Sequence, residues 1–294
     1  MDGRARLILT DWNEEWKALQ DVRRSPDDPS WWDGRARHFT PRETSPYARD
    51  FLELTGIAPG ERVLDMGCGA GSLAVPLAQQ GCSVLACDFS RAMLDVLGEA
   101  AEAHGVAERI EARLLAWDEN WESQGVGAKC VDVAIASRSI ATRDLAAALM
   151  KLDRAARRRC AVTLVTGASP RVDAHIMDAI GASVTESRDY VYAFSILVGL
   201  GAFPEVHYIE SRRRDTFNSL EDGVRDFSRM LEHGNEDRTG ELERYLADHM
   251  VENPHAGEPG PKGRPQGRYM LDHERLIRWA HIAWSPCGSA PGGD

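Results

Sequence analysis

The segment with the clearest chemical potential is residues 63–71, which read VLDMGCGAG. A short apolar run carries Asp65, and three glycines then alternate with other residues ahead of an apolar segment with a helical pattern. Such a strand, glycine turn and helix let the backbone approach a ligand closely and leave N–H groups unpaired at the start of the helix. A second apolar run, 83–87, ends at Asp88, where a carboxylate can accept both hydroxyls of a ribose. The two segments predict a site for a ligand that contains a nucleoside.

The glycine spacing separates two classes of cofactor. Dinucleotide-binding turns read G-x-G-x-x-G, and their third glycine allows close packing of helix and strand. Here the spacing is G-x-G-x-G, followed by Ser72 and Leu73, so that third glycine is absent. Asp65 precedes the first glycine and suits a cationic amino-acid group better than a pyrophosphate. The sequence resembles the class I S-adenosylmethionine (SAM)-dependent methyltransferases, closely over residues 45–170 and loosely elsewhere.

The resemblance implies SAM as the cofactor and assigns roles around the glycine turn. The backbone of Gly67, Cys68 and Gly69 would line the methionine part of SAM, with Asp65 near its amino group. Asp88 would hold the ribose hydroxyls. We interpret the Cys68 side chain as a packing residue, because the turn has room only for a small one.

The adenine side is less regular. Phe89 and Met93 would pack against the base, whereas the third strand, which commonly delivers an acid to the adenine amino group, offers Trp117 there and Asp118 one or two places late. Both stay candidates. The predicted cofactor-binding set is Asp65, Gly67, Cys68, Gly69, Gly71, Asp88, Phe89, Met93, Trp117, Asp118 and Ser137.

The fourth predicted strand ends in the triplet from Ser137 to Ser139. Methyltransferases of adenine or cytosine amino groups carry an Asn/Asp-Pro-Pro-aromatic motif at this point, and its absence argues against such substrates. Arg138, within the triplet, has two interpretations. It could bind a substrate carboxylate or phosphate through two parallel hydrogen bonds, or it could be a surface residue paired with Asp144.

No residue identifies itself as a general base. The candidates are His38, Tyr47, His207 and Tyr208, and for each of them a structural role is favoured over a catalytic one. The catalytic residues therefore stay unassigned. A sulfonium is already an activated leaving group, so methyl transfer gains much of its rate from holding the nucleophile and the methyl group in line.

The elements that must position these residues alternate between strand and helix, which predicts a parallel sheet with helices on both faces. The predicted strands are 61–66, 83–87, 109–115, 131–137 and 160–166, and the predicted helices are 46–56, 71–80, 90–104, 142–156 and 170–180. Two later alternating segments, 205–211 and 275–284, predict a final antiparallel pair that is interrupted by about 55 residues, where family members usually have a turn. The predicted fold is thus a Rossmann-like α/β class I methyltransferase sheet of seven strands.

Four segments follow from this pattern: a helical lid at 1–45, a SAM-binding core at 46–217, a helical and loop insertion at 218–270, and a last strand with a tail at 271–294. In the first segment, Trp12 and Trp16 share one helix face, and a second short helix carries Trp31, Trp32, Arg35, Arg37, His38 and Phe39. These aromatic side chains either cover the cofactor site or seal the sheet edge. The insertion is either a substrate cap or a surface addition, such as a dimer contact.

Composition limits the function classes. The chain of 294 residues is 43% hydrophobic and 28% charged, as in soluble globular proteins, and its net charge of −11 argues against a broad nucleic-acid-binding surface. Its six cysteines lack metal-site or disulfide spacing, and no apolar stretch could span a membrane, so we expect a reduced, cytoplasmic, metal-free protein. The predicted function is methyl transfer from SAM to a small molecule. The alternatives are a protein or RNA methyltransferase and a non-catalytic SAM-binding regulatory protein; the acceptor and the oligomeric state stay open.

Overall fold

The predicted alternation of strands and helices forms a seven-stranded sheet in the computed structural model, which describes residues 10–23, 29–36, 44–184, 186–231, 235–260 and 265–287. The strands are β1 (Arg62–Met66), β2 (Ser83–Asp88), β3 (Ile110–Leu114), β4 (Val131–Ser137), β5 (Ala156–Val165), β6 (Glu205–Arg213), β7 (Thr216–Phe217), β8 (Met250–Glu252), β9 (Tyr269–Leu271) and β10 (Arg275–Trp284). The helices are α1 (Trp12–Val22), α2 (Pro29–Ala36), α3 (Pro46–Thr55), α4 (Ala74–Gln79), α5 (Arg91–Ala103), α6 (Leu145–Ala155), α7 (Ala174–Ala179), α8 (Asp189–Gly199), α9 (Leu220–Phe227) and α10 (Thr239–His249).

The order of the large sheet is β3-β2-β1-β4-β5-β10-β6. Its first five strands are parallel, and β10 runs antiparallel between β5 and β6. The strand order reverses direction between β1 and β4, so the carboxyl ends of β1, β2 and β4 meet at one edge, where ligands of such sheets bind. The predicted fold class is confirmed, including the final antiparallel pair.

Both faces of the sheet are buried because neighbouring side chains on a strand point to opposite faces. Leu64 and Ala134 face a core that α1, α6 and α8 cover, whereas Val63 and Val133 face a core covered by α3, α4 and α5. Strands covered on both faces read as continuous apolar runs, which is why β1 and β4 were evident from the sequence.

Local capping fixes where the helices around the site begin. The Ser45 hydroxyl accepts the Ala48 N–H ahead of Pro46, the Ser90 hydroxyl accepts the Met93 N–H, and the Asp144 carboxylate accepts the Ala147 N–H. These caps place α3, α5 and α6 close to the predicted bounds. The helix α4 begins at Ala74 rather than at residue 71, because the turn continues through Leu73.

The chain between β6 and β10 forms a small subdomain of its own. It leaves the large sheet after Arg213 and returns at Arg275, which are register partners. It contains α9, α10 and a three-stranded sheet of order β7-β9-β8, and its apolar core includes Ile176 and Met177 of α7. The predicted helices of this insertion are present, whereas the small sheet was not predicted; nor was α8 in the core.

Candidate functional site

The glycine turn lies directly beside the end of β2. The N–H groups of Gly67 and Cys68 donate to the Cys87 carbonyl at 2.7 and 3.0 Å, and the Gly69 N–H donates to Oδ2 of Asp88 at 2.8 Å. The two predicted halves of the cofactor site are therefore joined by hydrogen bonds.

The three glycines of the turn all have positive φ, with values of 74° at Gly67, 53° at Gly69 and 86° at Gly71, and they differ in what surrounds them. A Cβ atom at Gly67 would lie 2.3 Å from the Ser139 Cβ, and one at Gly71 would lie 2.3 Å from Leu97 Cδ1. A Cβ atom at Gly69 would meet nothing within 4 Å. Protein packing requires the outer two glycines, whereas the middle one faces open space that a ligand can enter.

Asp65 is buried beneath this turn. Asp65 is 2% exposed, and its Oδ2 atom has no hydrogen-bond partner among the described residues. Burial, with a smaller contribution from the charge of Asp88, raises the pKa of Asp65 to about 7. A buried carboxylate without a partner is costly, and a bound cation would relieve that cost.

Asp88 is also buried, but both of its oxygens accept backbone hydrogen bonds. Oδ2 accepts from Gly69 and Oδ1 accepts from Ser90 at 2.9 Å. Burial nevertheless raises its pKa above the ordinary value. Each carboxylate oxygen can accept a second hydrogen bond, so Asp88 remains able to bind ribose hydroxyls while it holds the turn against the start of α5.

The helix α2 lies over this region. Ala36 of α2 packs with Ala70 of the glycine turn and with Met93 of α5, and Trp32 packs against the same cluster. The Ser90 hydroxyl also donates to Asp33 of α2 at 2.5 Å. Met93 thus contacts the turn and α2.

The remaining N-terminal helix is placed differently. Trp16 of α1 is fully buried in the core beside α6 and α8, and its indole N–H donates to the Thr142 carbonyl at 2.7 Å. Trp12 packs with it against Tyr192. Residues 37–40, with Arg37, His38 and Phe39, lie outside the described residues, as do the side chains of Trp31 and Arg35.

The two candidates that follow β3 separate in space. The Trp117 indole N–H donates to the Ser139 carbonyl at 2.9 Å, which ties the β3 loop to the β4 loop beside the glycine turn. Asp118 is exposed, and its charge acts on Lys151. Phe89, after β2, is half-buried.

The end of β4 forms the other side of the edge. Ser137 Oγ lies 2.7 Å from the Tyr47 hydroxyl, which lies 2.8 Å from Thr163 Oγ1 of β5. The Ser139 hydroxyl donates to the Met66 carbonyl, so this loop also contacts the glycine turn. The guanidinium carbon of Arg138 lies 4.3 Å from the centroid of the Tyr47 ring.

The suggested pair between Arg138 and Asp144 is not formed. Asp144 caps α6, accepts from Asn13 and pairs with Lys17 of α1 at 3.2 Å. Asp144 is thus paired with α1, and the Arg138 guanidinium lies over the ring of Tyr47.

The base candidates are not brought together at the edge. His207 and Tyr208 are exposed on β6, which lies beyond β10 and β5, and Tyr208 contacts Tyr190. Burial raises the pKa of the Tyr47 hydroxyl, which keeps it protonated. Burial likewise raises the pKa of the Cys68 thiol well above its usual value, which agrees with a packing role for this residue.

Comparisons with known proteins identify the family. A family model described as a methyltransferase domain matches residues 63–159. An uncharacterised protein from Haemophilus influenzae is 32% identical over 186 residues, which are 62% of this chain and 67% of that protein. This chain belongs to the class I SAM-dependent methyltransferase family.

Two other similarities cover less of the chain or have a lower sequence identity. The ubiquinone biosynthesis O-methyltransferase of Hahella chejuensis is 37% identical over 80 residues, 27% of this chain and 32% of that enzyme. The solved structure of the YcgJ protein from Bacillus subtilis covers 81% of this chain and 97% of that chain, with a TM-score of 0.49 and 13% identity. The chain thus spans about a third of the length of this O-methyltransferase.

The cofactor of the family is SAM, and this methyltransferase has side chains that fit it. The unpartnered Oδ2 of Asp65 is a group that a cationic amino group would satisfy, and the open space at Gly69 leaves room for a ligand against the backbone. Among the described residues, no group of three or more His, Cys, Asp or Glu side chains could hold a metal ion. The described helices include none that is long and apolar enough to cross a membrane.

Sequence reasoning missed several residues of this methyltransferase that shape the site. Thr163, Trp279 and Asp33 lie in three separate elements, and none belongs to a local motif. A signal was available for Thr163, since it is a polar residue in the otherwise apolar run of β5.

Proposed function

We propose that this methyltransferase transfers the methyl group of SAM to a small-molecule acceptor that enters between the glycine turn and the Tyr47–Arg138 pair. The observation that carries the proposal is the contact of α2 with the glycine turn through Ala36, Ala70 and Met93. The chain's own N-terminal segment covers one side of the cofactor edge, which leaves an entrance suited to a small molecule rather than to a folded macromolecule. The acidic net charge of −11 supports the same choice.

The proposal assigns the cofactor contacts to neighbouring strands. Asp65 would hold the amino group, Asp88 the ribose hydroxyls, and the backbone at Gly69 would approach the methionine part. SAM would supply a methyl group already activated by its sulfonium. Phe89, Met93, Trp117 and Ser137 are proposed to border the rest of the cofactor, whereas the exposed position of Asp118 makes it the weakest member of the predicted set.

The contribution of the protein to the reaction would be alignment and exclusion of water. The Tyr47 hydroxyl is held by Ser137 and Thr163, and its raised pKa favours a hydrogen-bonding role over proton abstraction. Holding the acceptor atom in line with the methyl group supplies much of the barrier reduction that such a reaction needs.

We further propose that α2 is the mobile part of the N-terminal lid. One polar tie of α2 to the core is the hydrogen bond from Ser90 to Asp33, and Asp33 is exposed. Replacing Asp33 with Ala should raise the dissociation rate of S-adenosylhomocysteine, whereas Asp21→Ala on α1 should leave that rate unchanged. Equal rates in both variants would remove the lid from the proposal.

The function is tested with purified protein and methyl-labelled SAM. Label should transfer to a component of a small-molecule pool and not to total protein or RNA, and S-adenosylhomocysteine should bind in calorimetry whereas NAD should not. The Asp65→Asn variant controls for label that moves without the site. Transfer to protein or RNA alone would overturn the small-molecule acceptor, and cofactor binding without transfer to any pool would support a regulatory protein.

A further inference from the structure

The guanidinium group of Arg138 is presented at the acceptor side of the site on an aromatic support. It lies 4.3 Å from the ring centroid of Tyr47 and 5.9 Å from that of Trp279, and these two rings contact each other edge to face. Tyr47 is itself fixed by two hydrogen bonds, so the support is rigid. A guanidinium stacked on aromatic rings keeps its N–H fork free for a planar anion.

The backbone at Arg138 is held in an unfavourable conformation. Its φ is +59°, and Lys129 is the other non-glycine residue with positive φ among the described residues. The Arg138 N–H donates to Thr163 Oγ1 at 3.0 Å, which anchors this conformation. Left-handed backbone at a non-glycine residue is costly and concentrates at functional sites. Here it directs an arginine side chain towards Tyr47 at the end of β4.

Arg138 has no carboxylate partner among the described residues, although the chain contains 46 Asp and Glu. Other arginines near the sheet are paired, for example Arg143 with Asp21 and Arg278 with Glu210. Asp65 and Arg138 act in opposite directions on the pKa of Tyr47, which Asp65 raises and Arg138 lowers, and the two form no ion pair with each other. The edge thus carries an unpaired acid on β1 and an unpaired cation after β4.

We propose that Arg138 binds a carboxylate or phosphate group of the acceptor, so that the acceptor of this methyltransferase is an anionic small molecule. This inference rests on the proposed function, and it assigns the two unpaired charges of this edge to two different ligands. Asp65 serves the cationic amino group of the cofactor, and Arg138 serves the anion of the acceptor. Trp279, which is half-buried, would offer an aromatic surface to an aromatic or other flat acceptor bearing that anion.

The same anion chemistry has a second source, because the cofactor also carries a carboxylate. The test therefore measures the binding of acceptor-like compounds and the binding of the cofactor product separately. Benzoate, phenyl phosphate and the neutral benzamide are titrated by NMR into the full chain with and without saturating S-adenosylhomocysteine, and the affinity for S-adenosylhomocysteine is measured by calorimetry. The variants are Arg138→Gln, which removes the charge, Arg138→Lys, which keeps it, and Arg143→Gln, which removes a paired arginine from the same loop.

We expect benzoate or phenyl phosphate to bind the S-adenosylhomocysteine complex at least tenfold more tightly than benzamide. Arg138→Gln should lose that preference, Arg138→Lys should retain part of it, and Arg143→Gln should retain all of it. The affinity for S-adenosylhomocysteine should change less than threefold in all three variants.

Three results would overturn the inference. Anions that fail to bind the wild-type complex would exclude the site, and anion binding that survives Arg138→Gln would place the site elsewhere. A tenfold loss of S-adenosylhomocysteine affinity in Arg138→Gln, with no effect on anions, would assign Arg138 to the cofactor carboxylate. Failure of the proposed function is distinguishable, because the label-transfer assay on the wild-type chain detects it without reference to anion binding or to Arg138.

Discussion

The two edges of the parallel sheet differ in how their charged side chains are paired. At the amino-terminal edge, Glu61 pairs with Arg158 at 2.6 Å, and Asp132 accepts the Arg62 N–H at 2.9 Å and pairs with Arg157 at 3.1 Å. At the carboxyl edge, Asp65 is buried without a partner on Oδ2, and among the described residues the Arg138 guanidinium lies over aromatic rings and pairs with no carboxylate.

The contrast shows which edge of the sheet contains energetically unfavourable features. Paired, partly exposed charges at the first edge each contribute little and cost little. The second edge combines an unpartnered buried carboxylate with positive φ at three glycines and at Arg138. Proteins retain such costly features where a ligand completes them, so the comparison separates a structural edge from a binding edge.

The largest expected effect comes from Asp65→Asn. Loss of the buried carboxylate should weaken S-adenosylhomocysteine binding by about 3 kcal/mol or more, roughly 100-fold, because the cofactor's amino group would lose its charged partner. Calorimetry at pH 7.5 measures this. An affinity within threefold of wild type would show that Asp65 does not bind the cofactor.

The same variant should stabilise the cofactor-free protein. The folded-state pKa of Asp65 is raised from 3.8 to about 7, so its contribution to stability is present below pH 4 and is lost as the pH rises to 7. Asn cannot ionise, and the free energy of unfolding at pH 8 should therefore exceed that of wild type by up to about 4 kcal/mol. Equal melting temperatures at pH 8 would contradict a buried, ionised Asp65.

A smaller effect is expected for Asp88→Ala. The cofactor should bind about 1.5–3 kcal/mol more weakly, because charge-assisted hydrogen bonds to the ribose are lost. The cofactor-free protein should also lose stability, by about 1–3 kcal/mol, because the Gly69 and Ser90 N–H groups lose their acceptor. Denaturant unfolding and calorimetry measure the two quantities. Unchanged stability would show that the turn does not depend on Asp88.

Cofactor affinity should also depend on pH through Asp65. Below its pKa of about 7 the carboxyl group is neutral and cannot pair with the amino group. S-adenosylhomocysteine should therefore bind roughly 10–30-fold more weakly at pH 5.5 than at pH 7.5. The Asp65→Asn variant should show no such slope, and a wild-type affinity that is flat across this range would contradict the raised pKa.

The smallest effect is expected at the amino-terminal edge. Glu61→Gln breaks the pair with Arg158, whose side chain is 44% exposed, and should cost about 0.5–1 kcal/mol of stability. Cofactor affinity should not change. A loss of affinity comparable to that of Asp88→Ala would mean that the two edges are coupled and that the comparison is wrong.

The cofactor half could be predicted from the sequence because it is local. Asp65, the glycines and Asp88 occupy two strands that are adjacent both along the chain and in the sheet. The predictions that these residues contact the cofactor remain to be tested, but their convergence on one edge follows directly from a parallel sheet.

The acceptor half could not be assembled in the same way. Tyr47, Arg138, Thr163 and Trp279 come from four separate elements, and only the tertiary structure brings them together. Two elements were missed for different reasons. The helix α8 is apolar around most of its surface and lacks an amphipathic period, whereas strands of two or three residues such as β7 are too short to show alternation.

The position of β10 has a consequence for the order of folding. The strands β1 and β2 are joined by residues 67–82 alone, so the cofactor side closes through a short loop. By contrast, β5 and β10 are separated by residues 166–274, and β6 joins the large sheet only through β10. Longer loops close at greater entropic cost and non-local pairings form more slowly, so β10 should dock late. Because Trp279 lies on β10, the cofactor side should form first. The aromatic support of Arg138 should be complete only when the last strand enters the sheet.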